Sequence, residues 1–168
     1  QAEAAKRSLG QDAKGGEQQP TDSREGLKSV VSRVSAQLER SLRPGTSPVS
    51  QANALLALGG LARAVASHAS GRDHAGRLFD SLLAHASRLC GSSVGAQEEW
   101  VQAASALALA AALAALRLND KKRREQALHL LHEQLARRGK AGSWTRFGAG
   151  LGLGCAAADA VQAVTRGG

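Results

Sequence analysis

The chain has few aromatic side chains, and it contains neither tyrosine nor methionine. Aromatic residues make up 2% of its 168 residues, as two tryptophans and two phenylalanines. β-Sandwiches and β-barrels normally contain more aromatic and β-branched residues than this. The abundant residue types are Ala, Leu, Gln, Glu and Arg, which favour helices. The composition therefore predicts an all-α protein, and the length suffices for one domain with its own core.

Cysteine is also scarce, with only Cys90 and Cys155 present. Both fall in predicted helices far apart in the sequence. We expect two small buried side chains in a reducing compartment, the cytoplasm, and regard a disulfide as the less favoured alternative. Because the sequence begins at Gln1 and lacks methionine, we interpret it as a piece of a longer protein, in which a signal peptide would not be visible.

A segment rich in small residues and punctuated by leucine occurs three times. The copies are Ser50–Ala62, Gln102–Leu113 and Arg146–Ala158. Leu58, Leu109 and Leu153 occupy corresponding positions, 51 and 44 residues apart. This period lies at or just beyond the upper end of the range for HEAT and armadillo repeats, roughly 40–47 residues. The sequence therefore predicts a helical repeat.

Three amphipathic helices are predicted, one before each of these segments, and each has apolar residues at helical spacing. The first two are expected to be capped by Asp22 and Asp73, and the third to run from Lys121 to Arg138. Their apolar faces are, in order, Leu27, Val30, Val31, Val34 and Leu38; Leu78, Phe79, Leu82, Leu83, Ala86 and Leu89; and Ala127, Leu128, Leu131 and Leu135. Two series recur every 48 residues, Val31, Phe79 and Ala127, and Val34, Leu82 and Leu130. This second regularity also indicates stacked helical hairpins.

The small-residue helices are predicted from Pro48 to about Ala69, from Glu98 to Leu118, and from about Trp144 to Val164. They are apolar nearly all round, as expected of helices contacted on several sides. Each glycine costs a helix about 1 kcal/mol relative to alanine. The four glycines at 148, 150, 152 and 154 therefore require tertiary packing if the third segment is to be helical.

The predicted domain organisation follows from these helices. Residues 1–9 are interpreted as the end of a preceding helix and residues 10–21 as a flexible loop, because that loop has one alanine as its only apolar residue. Residues 22–168 are expected to form about three helical hairpins, as part of a longer right-handed α-solenoid.

Patterns that resemble catalytic or cofactor motifs lack the context that such motifs need. The glycines from Gly148 to Gly154 do not fit the dinucleotide fingerprint in either register, and Gly91–Gly95 matches Gly-x-Ser-x-Gly without a preceding strand. His129 and His132 could chelate a metal, but no third ligand is evident, so a surface pair is favoured. We expect no enzyme, no cofactor, no metal and no small-molecule substrate.

The residues Val101 to Leu118 are long enough to be considered a membrane span. Gln102, Ser105 and Arg117 interrupt the run, and alanine supplies most of the rest. A packed interior helix is therefore the favoured interpretation.

Basic residues exceed acidic residues by 22 to 14, which gives a net charge of +8. Such a charge permits attraction to nucleic acid, an anionic membrane or an acidic protein. Lys121, Lys122, Arg123 and Arg124 start a predicted helix, where cations oppose the helix dipole. Arg137, Arg138 and Lys140 follow its other end, which favours cations. These seven residues are the candidate partner-binding site, and a solvated helix start is the alternative for the first four.

The phrase Arg146-Phe-Gly-Ala-Gly-Leu-Gly-Leu-Gly154 is similar to one found in HEAT-type and proteasome/cyclosome-type α-solenoid repeats. At the level of repeat type, the resemblance extends over about residues 22 to 164. It implies a non-catalytic scaffold or adaptor that binds protein partners in a larger cytoplasmic assembly, such as one tied to RNA decay. The alternative is a basic helical domain that binds RNA or an anionic membrane through its Lys and Arg clusters.

Overall fold

Six α-helices make up the part of the chain that the computed structural model describes, which is residues 21–68, 71–91, 96–114, 116, 120–136 and 142–166. In chain order they are α1 (Thr21–Arg40), α2 (Pro48–Ala66), α3 (Arg72–Gly91), α4 (Ala96–Leu113), α5 (Lys121–Ala136) and α6 (Ser143–Arg166). No strand occurs in these residues, so the all-α prediction is confirmed for them. The predictions for residues 1–20 lie outside the described residues.

The helices form two rows. We call α2, α4 and α6 the even row and α1, α3 and α5 the odd row. The most extensive contacts join α2 to α4 and α4 to α6. Each odd helix packs against the even helix that follows it, whereas contacts between neighbouring odd helices are sparse. Helix α4 is thus covered by α2 on one side and α6 on the other.

The even row is held together by glycine and alanine. A Cβ atom placed on Gly59 would lie 2.6 Å from the carbonyl oxygen of Ala108, and one placed on Gly148 would lie 2.8 Å from that of Ala103. A Cβ atom on Gly152 would lie 3.0 Å from the Cβ of Ala110. Backbones therefore touch across both interfaces. This packing compensates for the low helix propensity of glycine, and the segment from Gly148 to Gly154 is a continuous part of α6.

The odd row buries one face of each helix against the even row. Val31, Phe79 and Ala127, which recur every 48 residues in the sequence, are all buried. In the second series Leu82 and Leu130 are buried, whereas Val34 is 41% exposed. Helix α1 is the first odd helix described, and it makes few contacts with α3, which leaves Val34 open to solvent.

Several predicted details are wrong. Helix α4 ends at Leu113 rather than Leu118, and a turn follows in which Leu116 N–H donates to Leu113 O. Asp22 and Asp73 lie inside the first turns of α1 and α3 instead of preceding them. Cys90 is buried as expected, but Cys155 is exposed, because it lies on a side of α6 that no described helix covers; neither cysteine forms a disulfide.

The buried face of α5 also differs from the prediction. It consists of Ala127, Leu130, Leu131 and Gln134, while Leu128 and Leu135 are exposed. The spacing i, i+3, i+4, i+7 fits one side of a helix. Because Gln134 is polar, the apolar pattern of the sequence did not indicate that this side of the helix is buried. The face turned inward is set by the contacts of α5 with α3, α4 and α6.

Candidate protein-interaction site

Three of the four aromatic residues of the chain meet on the exposed surface of the even row. We call Trp100, Trp144 and Phe147 the aromatic cluster. The rings of Trp100 on α4 and Trp144 on α6 are stacked, with centroids 4.3 Å apart, and Phe147 meets Trp144 edge-on at 6.1 Å. Their exposures are 53%, 45% and 60%, respectively. Large aromatic surfaces are seldom left open to water in such a group unless they serve binding.

A layer of buried hydrogen bonds fixes the two helices beneath the aromatic cluster. Thr145 Oγ1 donates to Gln102 Oε1 over 2.8 Å, and Gln102 Nε2 donates to Leu89 O over 2.8 Å. Gly142 N–H donates to Glu99 Oε1 over 2.8 Å. Glu99, Gln102 and Thr145 are all buried. The stacked rings therefore sit on a base in which every one of these three side chains has a partner.

Gly142 makes the start of α6 possible. Its φ of +131° is a conformation that other residues rarely adopt. Its carbonyl oxygen accepts from Arg146 N–H over 2.8 Å, as an N-cap does. The carboxylate of Glu99 accepts the Gly142 N–H at the positive end of the helix dipole, where a negative charge is favourable. Trp144 is thereby held beside Trp100.

The apolar surface continues from the aromatic cluster along α6. Leu151, Cys155, Ala158 and Val161 are exposed and follow helical spacing after Phe147. On α2, at the other end of the even row, Val49 and Leu56 are exposed. The even row thus presents large apolar side chains on all three of its helices, at Leu56, Trp100 and Leu151 among others.

The four residues of the first predicted basic cluster, Lys121–Arg124, differ in their exposure and in their partners. Lys121 and Lys122 are exposed. The Lys121 Nζ is 3.8 Å from Glu125 Oε1, and the Lys121 side chain is 84% exposed. Arg124 is half-buried. The second predicted group, Arg137, Arg138 and Lys140, lies outside the described residues.

Arg123 has a structural partner. Its Nε and Nη2 donate to the two carboxylate oxygens of Asp80 on α3, over 2.9 and 2.6 Å, and Asp120 Oδ1 lies 3.6 Å from its Nη1. The hydrogen bonds that Arg123 donates to the Asp80 carboxylate raise the pKa of Arg123. This forked pair joins α5 to α3, so the guanidinium of Arg123 is occupied within the fold.

An open groove of about 1030 Å³ separates α3 from α5 further along. Leu83, Ser87 and Cys90 line it on α3, and Gln126, His129 and Glu133 are among the α5 residues that line it. His129 and His132 are exposed, and His129 Nδ1 is 3.8 Å from Glu133 Oε1. Among the described residues, no three His, Cys, Asp or Glu side chains are placed to hold a metal ion.

The remaining motifs are placed as follows. Ser93 of the Gly-x-Ser-x-Gly match lies outside the described residues. Of the predicted interior helix, the part from Val101 to Leu113 is packed between its neighbours, and almost all of its residues are buried. None of the helices in the described ranges combines the length and the apolar character needed to cross a membrane.

Comparison with known proteins adds no relative. No protein-family model matches the chain, and neither a curated protein nor a solved structure matches it. The functional interpretation therefore depends on the geometry of the chain itself.

The aromatic cluster was not predicted from the sequence, although a signal for it exists. Trp100 and Trp144 are 44 residues apart, as are Leu109 and Leu153. Residues at corresponding positions of adjacent repeats lie side by side. The spacing of the leucines could therefore have placed the two indoles together.

Proposed function

We propose that the chain is a segment of an α-solenoid of the HEAT or armadillo type and serves as a non-catalytic scaffold that binds protein partners. The order of the helices supports this proposal. Each helix from α1 to α4 contacts the helix two places further along the chain, and the odd and even helices stay in separate rows. Stacked helical hairpins have this pattern of contacts between neighbouring repeats.

The aromatic cluster is the observation that carries the binding role. Interface hot spots are enriched in tryptophan and are centred in well-packed apolar surfaces. Trp100 and Trp144 meet this description, because the hydrogen bonds of Gln102 and Thr145 hold their helices in place. Because the two rings are already ordered, binding of a partner would not incur the entropic cost of ordering them.

Unequal spacing of the two rows supports a curved binding surface. Backbone contact at Gly59 and Gly148 brings even helices to the short end of the usual range of helix separations, about 8–10 Å. The odd helices α3 and α5 leave a groove between them. A stack of this kind curves toward its closer row. The exposed apolar side chains of the even row would then line the concave face, which in solenoids binds extended partners.

The alternative is a basic helical domain that binds RNA or an anionic membrane. Lys121 and Lys122 are exposed and support it, but Arg123 is paired with Asp80. The aromatic cluster cannot supply base stacking next to these cations. Trp100 lies near the start of α4, a helix of 18 residues, and Lys121 follows its end. The part of the helix from Trp100 to Leu113 spans about 20 Å. The scaffold is therefore the better-supported function, and a cytoplasmic assembly such as one tied to RNA decay is the setting that we propose for it.

The experiment is affinity capture from cell extract with two matched double variants. Trp144→Ser with Phe147→Ser removes exposed rings, whereas Lys121→Glu with Lys122→Glu removes exposed cations. We expect a stoichiometric protein partner that resists high salt, is lost with the first variant and is retained with the second. Buried apolar contacts are insensitive to salt, whereas phosphate contacts weaken steeply.

The opposite pattern would favour the alternative. If RNA or anionic lipid alone were recovered, high salt released it, and only the Lys121→Glu, Lys122→Glu variant failed to bind, the scaffold proposal would be wrong. Circular dichroism of each variant establishes that its helices are intact before the comparison is made.

A further inference from the structure

Large side chains on the solvent side of the even row line up across its three helices. The repeat places Leu58, Leu109 and Leu153 at corresponding positions of α2, α4 and α6. Nine residues before each of these leucines is an exposed large side chain, and the three form what we call the tryptophan ladder: Val49, Trp100 and Trp144. Two residues before each is another leucine, and these form what we call the leucine ladder: Leu56, Leu107 and Leu151.

Contacts between the helices support this register. Corresponding residues of adjacent repeats lie side by side. The rings of Trp100 and Trp144 are stacked, as the register requires of α4 and α6. Gly59 follows Leu58 and meets Ala108, so α2 and α4 are aligned to within two residues. Each ladder therefore runs across the helices and not along one of them.

The two ladders border a channel that crosses the even row. Along each helix they are seven residues apart, which is about 10.5 Å. On α4 the residues between them on the same side are small and buried, namely Ala103 and Ala104. On α6 Phe147 is exposed and meets Trp144 edge-on, and on α2 Asn53 is exposed. The channel thus has apolar walls, a floor of alanine on α4 and an amide on α2.

Charge complementarity limits the chemistry of an occupant. No residue of either ladder or of the floor has a charged side chain, although the chain has a net charge of +8. The exposed cations Lys121 and Lys122 belong to α5. A phosphate, carboxylate or ammonium group brought into an uncharged apolar channel would lose water without gaining an opposite charge. The complementary occupant is an uncharged, largely apolar segment of polypeptide.

The dimensions of the channel select the conformation of that segment. An α-helix with its side chains is about 10–12 Å wide, which is too wide to lie between ladders about 10.5 Å apart. Neighbouring packed helices are about 8–10 Å apart. Side chains on one face of a β-strand repeat about every 6.8 Å, which is out of step with the helices. Three residues of polyproline II rise about 9.3 Å, so every third side chain meets the next even helix.

We infer that the occupant of the channel is a proline-rich segment of a protein partner, in the polyproline II conformation, which lies across α2, α4 and α6. Segments of this kind bind in grooves lined by aromatic side chains, and their preformed conformation keeps the entropic cost low. Their carbonyl oxygens make no internal hydrogen bonds, so they can accept from the indole N–H groups of Trp100 and Trp144. The inference rests on the proposed function and names the class of partner that the aromatic cluster binds.

The test measures binding of a synthetic peptide to the purified full chain. The probe is Pro-Pro-Leu repeated four times with both ends blocked. Trp100 and Trp144 are the only tryptophans of the chain, so tryptophan fluorescence reports on the channel directly. We expect a saturable change in fluorescence with the same midpoint at low and high salt. Ala-Ala-Leu repeated four times keeps the leucine spacing without the rigid prolines and should bind at least about tenfold more weakly.

Two exposed leucines provide a matched pair of variants. Leu56→Ser removes a side chain that is 44% exposed on the leucine ladder, and Leu128→Ser removes one that is 37% exposed on α5. We expect the first to weaken peptide binding about tenfold and the second to leave it unchanged, because the peptide covers only Leu56. Both substitutions leave Trp100 and Trp144 in place as reporters, and circular dichroism establishes that the helices are intact.

Two results would overturn the inference. In the first, the fluorescence of the wild-type chain does not respond to the proline-rich peptide, or it responds equally to the alanine peptide. In the second, Leu56→Ser binds the peptide as tightly as the wild-type chain does, which would confine the peptide to the aromatic cluster and rule out a course across three helices.

The outcome is separable from that of the proposed function. The peptide should displace the protein partner that the wild-type chain captures from cell extract. A partner that is lost with Trp144→Ser, Phe147→Ser, captured by a chain that does not bind the peptide, would overturn the polyproline II occupant alone. Peptide binding by the purified chain, with no protein captured from the extract, would overturn the scaffold role alone.

Discussion

Neighbouring helices of the even row and neighbouring helices of the odd row are held together by different kinds of contact. In the even row, Gly59 and Gly148 let helix backbones touch. In the odd row, neighbouring helices stay apart and are bridged by long side chains, as Arg123 bridges α5 to Asp80 on α3 and Ser81 donates to Glu39 of α1 over 3.2 Å. Contact between backbones tolerates no added atom, whereas a bridge of long side chains can adapt. The two rows should therefore respond differently to substitution.

The largest contrast is expected between adjacent glycines of α2. Gly59→Ala forces a Cβ atom against the backbone of Ala108 and should lower the free energy of unfolding by about 1–3 kcal/mol. Gly60→Ala meets nothing within 4 Å and should raise it by up to about 1 kcal/mol. Urea unfolding measures both values. Gly148→Ala and Gly154→Ala form the equivalent pair on α6, and equal effects within either pair would contradict backbone contact in the even row.

A smaller effect is expected from a buried amide in the odd row. Gln134 is 1% exposed, and neither of its polar atoms has a hydrogen-bond partner among the described residues. Gln134→Met should raise the free energy of unfolding by about 1 kcal/mol, because an unpaired buried polar group is costly. Gln126→Met on the exposed side of the same helix is the control and should change little. A destabilised Gln134→Met chain would mean that the amide has a partner.

The bridge between α3 and α5 should contribute less still. A double-mutant cycle of Arg123→Ala and Asp80→Ala should give a coupling energy of about 0.5–1 kcal/mol, since both side chains are more than a third exposed and screened by solvent. The same cycle on Lys121 and Glu125, whose side chains are 84% and 65% exposed, should give no measurable coupling. Equal coupling in the two cycles would remove the structural role assigned to Arg123.

The smallest effect is a dependence on pH that belongs to the odd row alone. Burial and the nearby Arg88 lower the pKa of His85, and burial and Arg77 lower the pKa of His74. A histidine whose pKa is lower in the folded state than in the unfolded state binds a proton more readily when the chain is unfolded. The free energy of unfolding therefore decreases as the pH falls below about 6.5. The helices α2, α4 and α6 contain no histidine.

Unfolding at pH 7.5 and pH 5.5 measures this effect. We expect a slightly lower melting temperature for the wild-type chain at the lower pH. The loss should be smaller in the double variant His74→Gln, His85→Gln, while His132→Gln serves as an exposed control. A loss of the same size in all three chains would assign the pH dependence to other groups.

Local periodicity predicted where the helices lie in the sequence, but it did not predict where α4 ends or which side of α5 is buried. The one-sided spacing around Phe79 is visible in the sequence, and Phe79 and Leu82 are buried as it predicts. The end of α4 at Leu113 is not, because the residues that follow are equally good helix formers. Which side of α5 is buried depends on three neighbouring helices, and local spacing does not contain that information.

The candidate site shows the same division. The sequence drew attention to Lys121–Arg124 because four adjacent cations are easy to see. The aromatic cluster joins residues from different helices, so it depends on the register between α4 and α6. Arg123 could be assigned to Asp80 only after α3 and α5 were placed side by side, with Asp80 43 residues away in the sequence.

The contact of backbones in the even row also has a mechanical meaning. Along Gly59, Ala108, Ala103 and Gly148 the row cannot be compressed, since backbone atoms already meet there. The odd row has open space between α3 and α5, and side chains such as Arg123 join its helices. Under load the molecule should therefore bend about the even row, as a strip with one stiff edge and one compliant edge. Its curvature would change while its length along the stiff edge stays constant.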